Sequence, residues 1–289
     1  MRRAANATGR VLVTVGTLLL LFVAYQLWGT GIYEAREQSR LQGELKKQIA
    51  QARRDREAVA GTTTTTVPPP PPPEGEGLGL IHIPKIGLDR AIVQGVAVPD
   101  LRKGPGHYPD SPMPGQLGNA AIAGHRTTYG APFNRIDELA PGDEITIVTV
   151  SGTFHYSVTG QVIVSPKQTE VLDPSPDATL TLTTCNPKYS ARERLVVKAK
   201  LDVTSSPKPT KPAPIPVSKR TKIDDLAGKK ESRLPVIWWG VIVALVGGGW
   251  WWLFHRKPRW FLWVAGVIPF LAVYAVFCFY LERVLPPGY

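Results

Sequence analysis

Three long apolar stretches prevent this chain of 289 residues from folding as one soluble globule. The first, residues 11–28, is apolar or small apart from two threonines and one glutamine, and residues 236–254 and 260–281 contain no charge. Each is close to the roughly 20 apolar residues that cross a bilayer. Tryptophan and tyrosine cluster at several of the ends, as in interfacial belts. We predict three transmembrane helices, because the remaining chain is too small to bury three such helices in a soluble core.

The charged flanks of these stretches predict their orientation. Three arginines precede the first stretch, which is longer than the ~7–15 apolar residues of a signal peptide and lacks an A-x-A cleavage site. We interpret it as an uncleaved anchor with a cytoplasmic N-terminus. The loop 255–259 is short and basic, which favours the cytoplasm. Residues 33–235 are then outside the cell. A basic cluster at 219–233 precedes the second stretch on that outer side, but it does not decide the orientation because long loops translocate largely regardless of charge.

Composition divides the rest of the chain. Residues 33–60 are rich in charged residues and glutamine, with Leu41, Leu45 and Ile49 on one helix face, which predicts a solvated helical stalk or a short coiled coil. A threonine run and a proline run follow, and the prolines predict a stiff, extended spacer. We divide the chain into an N-terminus with its anchor (1–32), a helical stalk and Thr/Pro-rich linker (33–76), one domain (77–204), a Pro-rich basic linker (205–235) and two transmembrane helices (236–289).

The domain at 77–204 is rich in predicted strands. Residues 144–150 and 153–164 predict a hairpin around Ser151-Gly152. Closely spaced strands with few helical patterns indicate a compact β-barrel or sandwich, and the domain is long enough for one core. The predicted strands are seven short apolar and β-branched runs: 80–83, 91–93, 120–123, 144–150, 153–164, 179–184 and 194–203.

Three reactive side chains lie where predicted strands meet loops. Thr179 to Cys185 alternates β-branched and apolar residues and ends in a thiol, His125 follows the run 120–123, and Arg194 begins the last strand. The chain's only other cysteine lies in the third apolar stretch, so Cys185 has no evident disulfide partner. A thiolate nucleophile, a histidine acid or base and a permanently charged arginine together equip an acyl transfer through a thioester.

The motifs around these residues resemble a known family. TLTTC with an arginine nine residues later, an upstream GHR at 124–126 and IPKIGL at 83–88 look like a sortase, a cysteine transpeptidase of Gram-positive surfaces. The resemblance covers about residues 77–203 and implies an all-β, closed, eight-stranded barrel outside the three transmembrane helices. It implies Cys185 as nucleophile, His125 as general acid and base, and Arg194 as stabiliser of the oxyanion or substrate.

The resemblance also implies a substrate. A membrane-anchored sortase would cleave a sorting signal similar to Leu-Pro-x-Thr-Gly between threonine and glycine. It would then transfer the surface protein to an amine of a peptidoglycan precursor, with hydrolysis as a side reaction. The segments at 106–119 and 186–197 look most like class E, in which a tyrosine such as Tyr108 accompanies a preference for alanine at the second signal position. Thr183 and Thr184 either orient the thiol or substrate carbonyl or are simply β-branched strand formers.

Several alternatives remain open from the sequence. A pilin-polymerising sortase is disfavoured because Asn186-Pro187-Lys188-Tyr189 departs from the class C pattern after the cysteine. A non-sortase L,D-transpeptidase would carry histidine two positions before its cysteine, where this chain has Thr183. An inactive envelope scaffold would not need Cys185, His125 and Arg194 together.

The remaining titratable residues predict no additional chemistry. His107 is a rival base but is interpreted as a loop residue near the groove, and His82 and His155 are interpreted as outward-facing strand residues. Asp and Glu show no metal-ligand spacing, so we predict no metal and no cofactor. The net charge of +11 favours anionic lipid or cell-wall polymer, and nucleic acid is excluded as a partner by the external position of the domain.

Overall fold

The computed structural model describes residues 2–59, 70–212, 232–254 and 260–284. The chain divides into two compact units, which are described separately: Met1–Gln26 with Lys229–Pro287, and Leu27–Gly228 with Gly288–Tyr289. Four predicted features lie wholly or mostly outside the described residues: the threonine run, the first prolines of the spacer, the basic cluster at 219–233 and the basic loop 255–259.

Five α-helices lie in the described ranges, and a π-helical turn (Tyr25–Gly29) joins the first two. The helices are α1 (Arg2–Ala24), α2 (Thr30–Val59), α3 (Val98–Leu101), α4 (Leu234–Phe254) and α5 (Trp260–Val284).

Two of the three predicted membrane spans have the length and composition to cross a bilayer. One begins at Leu12 within α1, and the other is Leu234–Leu253. In α5 the apolar helix is the shorter Gly266–Glu282, at most 17 residues long when only described residues are considered. The predicted count of three is therefore corrected to two, with one shorter apolar helix.

Eight strands form the closed barrel that the resemblance predicted. They are β1 (Gly77–Ile83), β2 (Leu88–Gln94), β3 (Gly106–His107), β4 (Gly118–Ala123), β5 (Glu144–Thr149), β6 (Gly152–Val164), β7 (Ala178–Asn186) and β8 (Glu193–Leu201). Their order around the barrel is β1-β2-β3-β4-β7-β8-β6-β5. The predicted hairpin is confirmed, because β5 and β6 pair antiparallel from Thr149↔Gly152 onward. The two-residue β3 was missed because it is too short to show any alternation.

Alternating side chains separate the inside of the barrel from its outer face. On β7, Leu180 and Leu182 enter the core, and on β4 Ile122 does the same. Because successive strand residues point to opposite faces, Thr179, Thr181, Thr183 and Cys185 of β7 face outward, as do Ala121 and Ala123 of β4. The outer face of β4, β7 and β8 therefore carries the reactive side chains.

The predicted stalk helix packs onto the barrel instead of standing free in solvent. Leu41 and Leu45 are buried against Ala91 and Val93 of β2, and Ile49 packs beside them. Each buried leucine contributes about 1.5–3 kcal/mol of transfer free energy. The apolar face predicted from the spacing is present, but it is covered by the barrel instead of being exposed to water or paired with a second helix.

The described start of the second linker also lies along the barrel. The N–H of Leu117 donates to the carbonyl of Thr210 at 2.8 Å, and the N–H of His155 donates to the hydroxyl of Ser206 at 2.9 Å. A parallel bridge pairs Gln116 with Thr210. This part of the Pro-rich segment is therefore attached to the domain rather than being a free spacer.

Candidate active site

Cys185 and Arg194 lie directly opposite each other on neighbouring antiparallel strands. The register of β7 and β8 pairs Cys185 with Arg194, one step beyond Thr184 with Leu195. Side chains of directly opposed residues share one face of a sheet, with Cβ atoms about 4.5–5.5 Å apart. The thiol is free and partly exposed. The sheet therefore presents a nucleophile and a cation side by side on the outer face.

The guanidinium of Arg194 is partly held by the loop that precedes β8. Its Nη1 donates to the carbonyls of Ala191 and Glu193, both at 3.0 Å. These are the hydrogen bonds that Arg194 makes with the described part of the chain. Since arginine has five N–H donors, the others can serve a ligand beside Cys185.

His125 lies at the same end of the sheet, two residues after β4. The strands β4 and β7 are parallel and pair Ala123 with Thr183. One residue further, the N–H of Gly124 donates to the carbonyl of Thr183 at 3.0 Å. Parallel pairing continued by one more residue brings His125 level with Cys185. The structure therefore places all three predicted catalytic residues at adjacent strand ends: His125 after β4, Cys185 on β7 and Arg194 on β8.

The surroundings of His125 favour its neutral form. Burial and, to a smaller extent, the positive charge of Arg102 together lower the pKa of the imidazole to about 4. Its Nε2 is buried and has no hydrogen-bond partner among the described residues, while Nδ1 lies 3.4 Å from the hydroxyl of Thr128. At neutral pH the ring is therefore uncharged, which is the form that accepts a proton.

Arg126 physically joins the His125 segment to the strand end that carries the thiol. Its Nη1 donates to the carbonyl of Cys185 at 3.1 Å and to Oδ1 of Asn186 at 2.7 Å. Its Nη2 pairs with a carboxylate oxygen of Asp137 at 3.2 Å, and only 5% of the Arg126 side chain is exposed. In the sequence, Arg126 is only the last residue of the GHR motif, and no local pattern there indicates a role for it. Only the long-range contact reveals that it fixes the backbone of the nucleophile.

Tyr108 and Thr183 line an apolar patch that leads to Cys185. Tyr108 is packed with Ala121 and Ala123 of β4. Its hydroxyl lies 3.4 Å from Oγ1 of Thr183, which is on the same face of β7 as Cys185. Burial raises the pKa of the Tyr108 hydroxyl, and the charges of Arg194 and Cys185 act on it in opposite directions. Both residues therefore lie on the outer face that carries Cys185, and their contact with substrate stays a prediction.

One wall of this patch comes from the connection between β6 and β7. Leu172 of the 3₁₀ turn Thr169–Leu172 packs against the cluster containing Tyr108. Asn119 holds this connection by donating from Nδ2 to the carbonyls of Val171 and Asp173, at 3.1 and 3.2 Å. The connection therefore covers the patch on the outer face of β4 and β7 and is fixed there by hydrogen bonds, and the side chains of the patch are buried.

Thr184 is not part of this patch. Its hydroxyl donates to the carbonyl of Gly124 at 2.7 Å, and its alternation along β7 points it away from the face of Cys185. It is also almost completely buried. The placement corrects the prediction that Thr184 binds substrate: its hydroxyl instead ties β7 to the end of β4, beside His125.

The other histidines take structural positions. His107 belongs to strand β3 rather than a loop, is fully buried, and lies 3.0 Å from Oε1 of Gln94 and 2.9 Å from the carbonyl of Pro112. Burial lowers its pKa to about 4. His82 is exposed on β1, and His155 is half-buried on β6, where its Nδ1 lies 2.7 Å from Glu144.

Within the described ranges, no group of three or more His, Cys, Asp and Glu residues could hold a metal ion. The absence of a required metal or cofactor stays a prediction.

Comparison with known proteins agrees with this geometry. Residues 81–202 match the family model described as "Sortase domain". The chain is 32% identical to Sortase SrtE1 of Streptomyces coelicolor, over 68% of this chain and 57% of that protein. It is 31% identical to YwpE of Bacillus subtilis, which is named as a sortase, over 29% of this chain and 83% of that protein. The chain belongs to the sortase family.

Sortases are membrane-associated cysteine transpeptidases that act on proteins with sorting signals and on cell-wall amines. A solved structure of the sortase D5 transpeptidase from Clostridium perfringens is similar to this sortase at 31% identity, covering 59% of this chain and 98% of that one, with a TM-score of 0.47. The chain spans just over half the length of SrtE1.

Proposed function

We propose that this sortase is a membrane-anchored cysteine transpeptidase that cleaves a signal similar to Leu-Pro-x-Thr-Gly or Leu-Ala-x-Thr-Gly between threonine and glycine. The observation that carries the proposal is the pairing of Cys185 with Arg194 across β7 and β8, level with His125. A thiol, a cation and a neutral imidazole at one sheet end can support both halves of an acyl transfer.

The first half-reaction forms a thioester. The sulfur of Cys185 attacks the carbonyl carbon of the signal threonine while neutral His125 takes the thiol proton. Negative charge develops on the carbonyl oxygen, and the guanidinium of Arg194 stabilises it by charge-assisted hydrogen bonds. When the C–N bond breaks, His125 returns the proton to the amine of the departing glycine.

The second half-reaction releases the protein from Cys185. An amine of a peptidoglycan precursor attacks the thioester carbonyl, His125 takes its proton, and the sulfur leaves with that proton restored. Water in place of the amine gives hydrolysis as a side reaction. The same residues serve both half-reactions because the second half-reaction is the reverse of the first, with a different amine.

We place the signal peptide in a groove that forms over the patch of Tyr108, Ala121, Ala123 and Thr183. The patch is apolar, shares the outer face with Cys185 and has a wall held by Asn119. The similarity to SrtE1 supports a class E assignment. A preference for alanine at the second signal position follows if Tyr108 narrows the groove there.

A cleavage assay with the full chain in detergent micelles tests the proposal. Peptides carrying either signal are incubated with a small amine, and the released glycine fragment and the amine conjugate are quantified. Cys185→Ala should abolish both products while the domain still unfolds cooperatively. Cys278→Ala is the matched control and should keep activity, because Cys278 belongs to α5. Full activity in Cys185→Ala would reject the proposed function.

The location outside the membrane is a further part of the proposal, supported by the basic flanks in the sequence. Cys185 is partly exposed, so a membrane-impermeant maleimide applied to intact cells should label it. Labelling that requires cell lysis would place the domain in the cytoplasm and contradict the predicted orientation.

A further inference from the structure

The loop that follows His125 has an unusual backbone. Tyr129, Gly130 and Ala131 have φ angles of 50°, 70° and 44°, so three consecutive residues are in the left-handed region. Residues with side chains seldom adopt it, and two of these three have side chains. Such a conformation persists only when the surrounding structure determines it from several directions.

The first two turns of α2 determine this loop from one side. The N–H of Tyr129 donates to Oγ1 of Thr30 at 3.2 Å, in a buried contact across 99 residues of sequence. The carboxylate of Glu34 lies against Gly130 so closely that any Cβ there would overlap it. Glu34 itself is 3% exposed and is fixed by an ion pair with Arg90 at 3.0 Å. The turn is therefore built against α2.

The catalytic histidine lies on the other side of the same turn. The ring centroids of Tyr129 and His125 are 5.2 Å apart, and the guanidinium of Arg102 is 5.7 Å from the centre of the Tyr129 ring. The N–H of Phe133 donates to the carbonyl of His125 at 3.0 Å and closes the loop. The ring that packs on His125 thus belongs to a residue whose backbone N–H is held by Thr30.

We propose that Thr30 and Glu34 of α2 are positioning residues for catalysis: they fix the left-handed turn 129–131 so that Tyr129 holds the His125 ring in place beside Cys185. The inference rests on the proposed function, since it assigns α2 a part in the same reaction. The helix acts on the reaction through Tyr129 rather than by touching substrate.

A purely structural role for α2 makes a different prediction, and the chain offers a matched control. One turn after Glu34, Gln38 attaches the same helix to β2. It accepts from the N–H of Ala91 at 2.7 Å and donates to the carbonyls of Ala91 at 3.1 Å and of Lys103 at 2.8 Å, so none of these bonds reaches residues 129–131. Losing Gln38 weakens the docking of α2 without removing the contact to the turn.

The experiment measures kcat and KM for the signal peptide with the full chain in micelles, alongside thermal unfolding. In Thr30→Val, which keeps the shape and removes the acceptor, kcat should fall about tenfold or more with KM unchanged, as expected for a displaced catalytic group. Thr30→Ser should restore kcat. Gln38→Ala should lower the unfolding temperature at least as much as Thr30→Val while reducing kcat far less.

Equal kcat in Thr30→Val and wild type would overturn the inference, as would an equal loss in Thr30→Val and Gln38→Ala. So would failure of Thr30→Ser to recover activity. These outcomes are distinct from failure of the proposed function, in which wild type and Cys185→Ala would be equally inactive.

Discussion

Replacing Arg126 by methionine should loosen the strand end that carries Cys185. The variant loses two charge-assisted hydrogen bonds, at 3.1 Å to the carbonyl of Cys185 and at 2.7 Å to Asn186. Such bonds contribute about 1.5–3 kcal/mol each. Asn186 is partly exposed and water can replace one bond, so we take the lower end, about 3 kcal/mol in total. The ion pair to Asp137, whose side chain is 43% exposed, adds little because solvent screens it.

A loss of this size is easily measured. For a domain of this length each kcal/mol shifts Tm by about 2–4 °C, so Arg126→Met should unfold roughly 6–12 °C below wild type. Its rate of thioester formation should fall as well, because the backbone of Cys185 is no longer held. Arg135→Met is the control: Arg135 also pairs with a carboxylate, Glu138 at 2.7 Å, but on the surface. If both variants match wild type in Tm and acylation rate, Arg126 does not organise the site.

Four further predictions concern other parts of the domain. The folded-state pKa of His107 is lowered to about 4, so between pH 4 and 6.5 the unfolded chain binds one more proton than the folded chain. The free energy of unfolding therefore decreases as pH falls through that window, by up to about 3 kcal/mol. In His107→Gln this decrease should be smaller, as measured by unfolding at several pH values. Arg102→Met should raise the pKa of His125 and move the acidic limb of the pH profile of kcat/KM to higher pH; an unmoved limb would mean that the charge of Arg102 does not lower the pKa of His125. Tyr108→Phe should lower the ratio of kcat/KM for the alanine signal over the proline signal, and an unchanged ratio would remove Tyr108 from specificity. Leu45→Ala should destabilise the domain by about 2–5 kcal/mol, seen as a lower Tm; a Tm equal to wild type would mean that α2 is not docked on β2.

The strand pattern left a barrel or a sandwich open, and the family resemblance implied the closed barrel that the structure shows. Alternation in Thr179 to Cys185 depends only on the pleat of a strand, so it correctly predicted the strand β7 with the thiol near its end. The same pattern correctly suggested the hairpin at Ser151-Gly152. Local periodicity transfers directly into structure where one face of a strand is buried.

Other features depend on contacts between segments that are distant in the sequence, and no local pattern predicts such contacts. Arg126 acts on a carbonyl 59 residues away, and Thr30 on an N–H 99 residues away. Helical spacing predicted that Leu41 and Leu45 share an apolar face, but this spacing does not indicate which surface covers that face. Thr184 was misplaced because β-branched residues at a strand end look alike until their partners are known.

The most direct test of the proposed function is mass spectrometry of the full chain mixed with a Leu-Ala-x-Thr-Gly peptide and quenched in acid before turnover is complete. A thioester on Cys185 predicts a mass increase equal to the acyl fragment ending in threonine, mapped to Cys185. The increase should be lost on adding an amine and absent from Cys185→Ala. Acylation at another residue, or turnover without any adduct at Cys185, would contradict it.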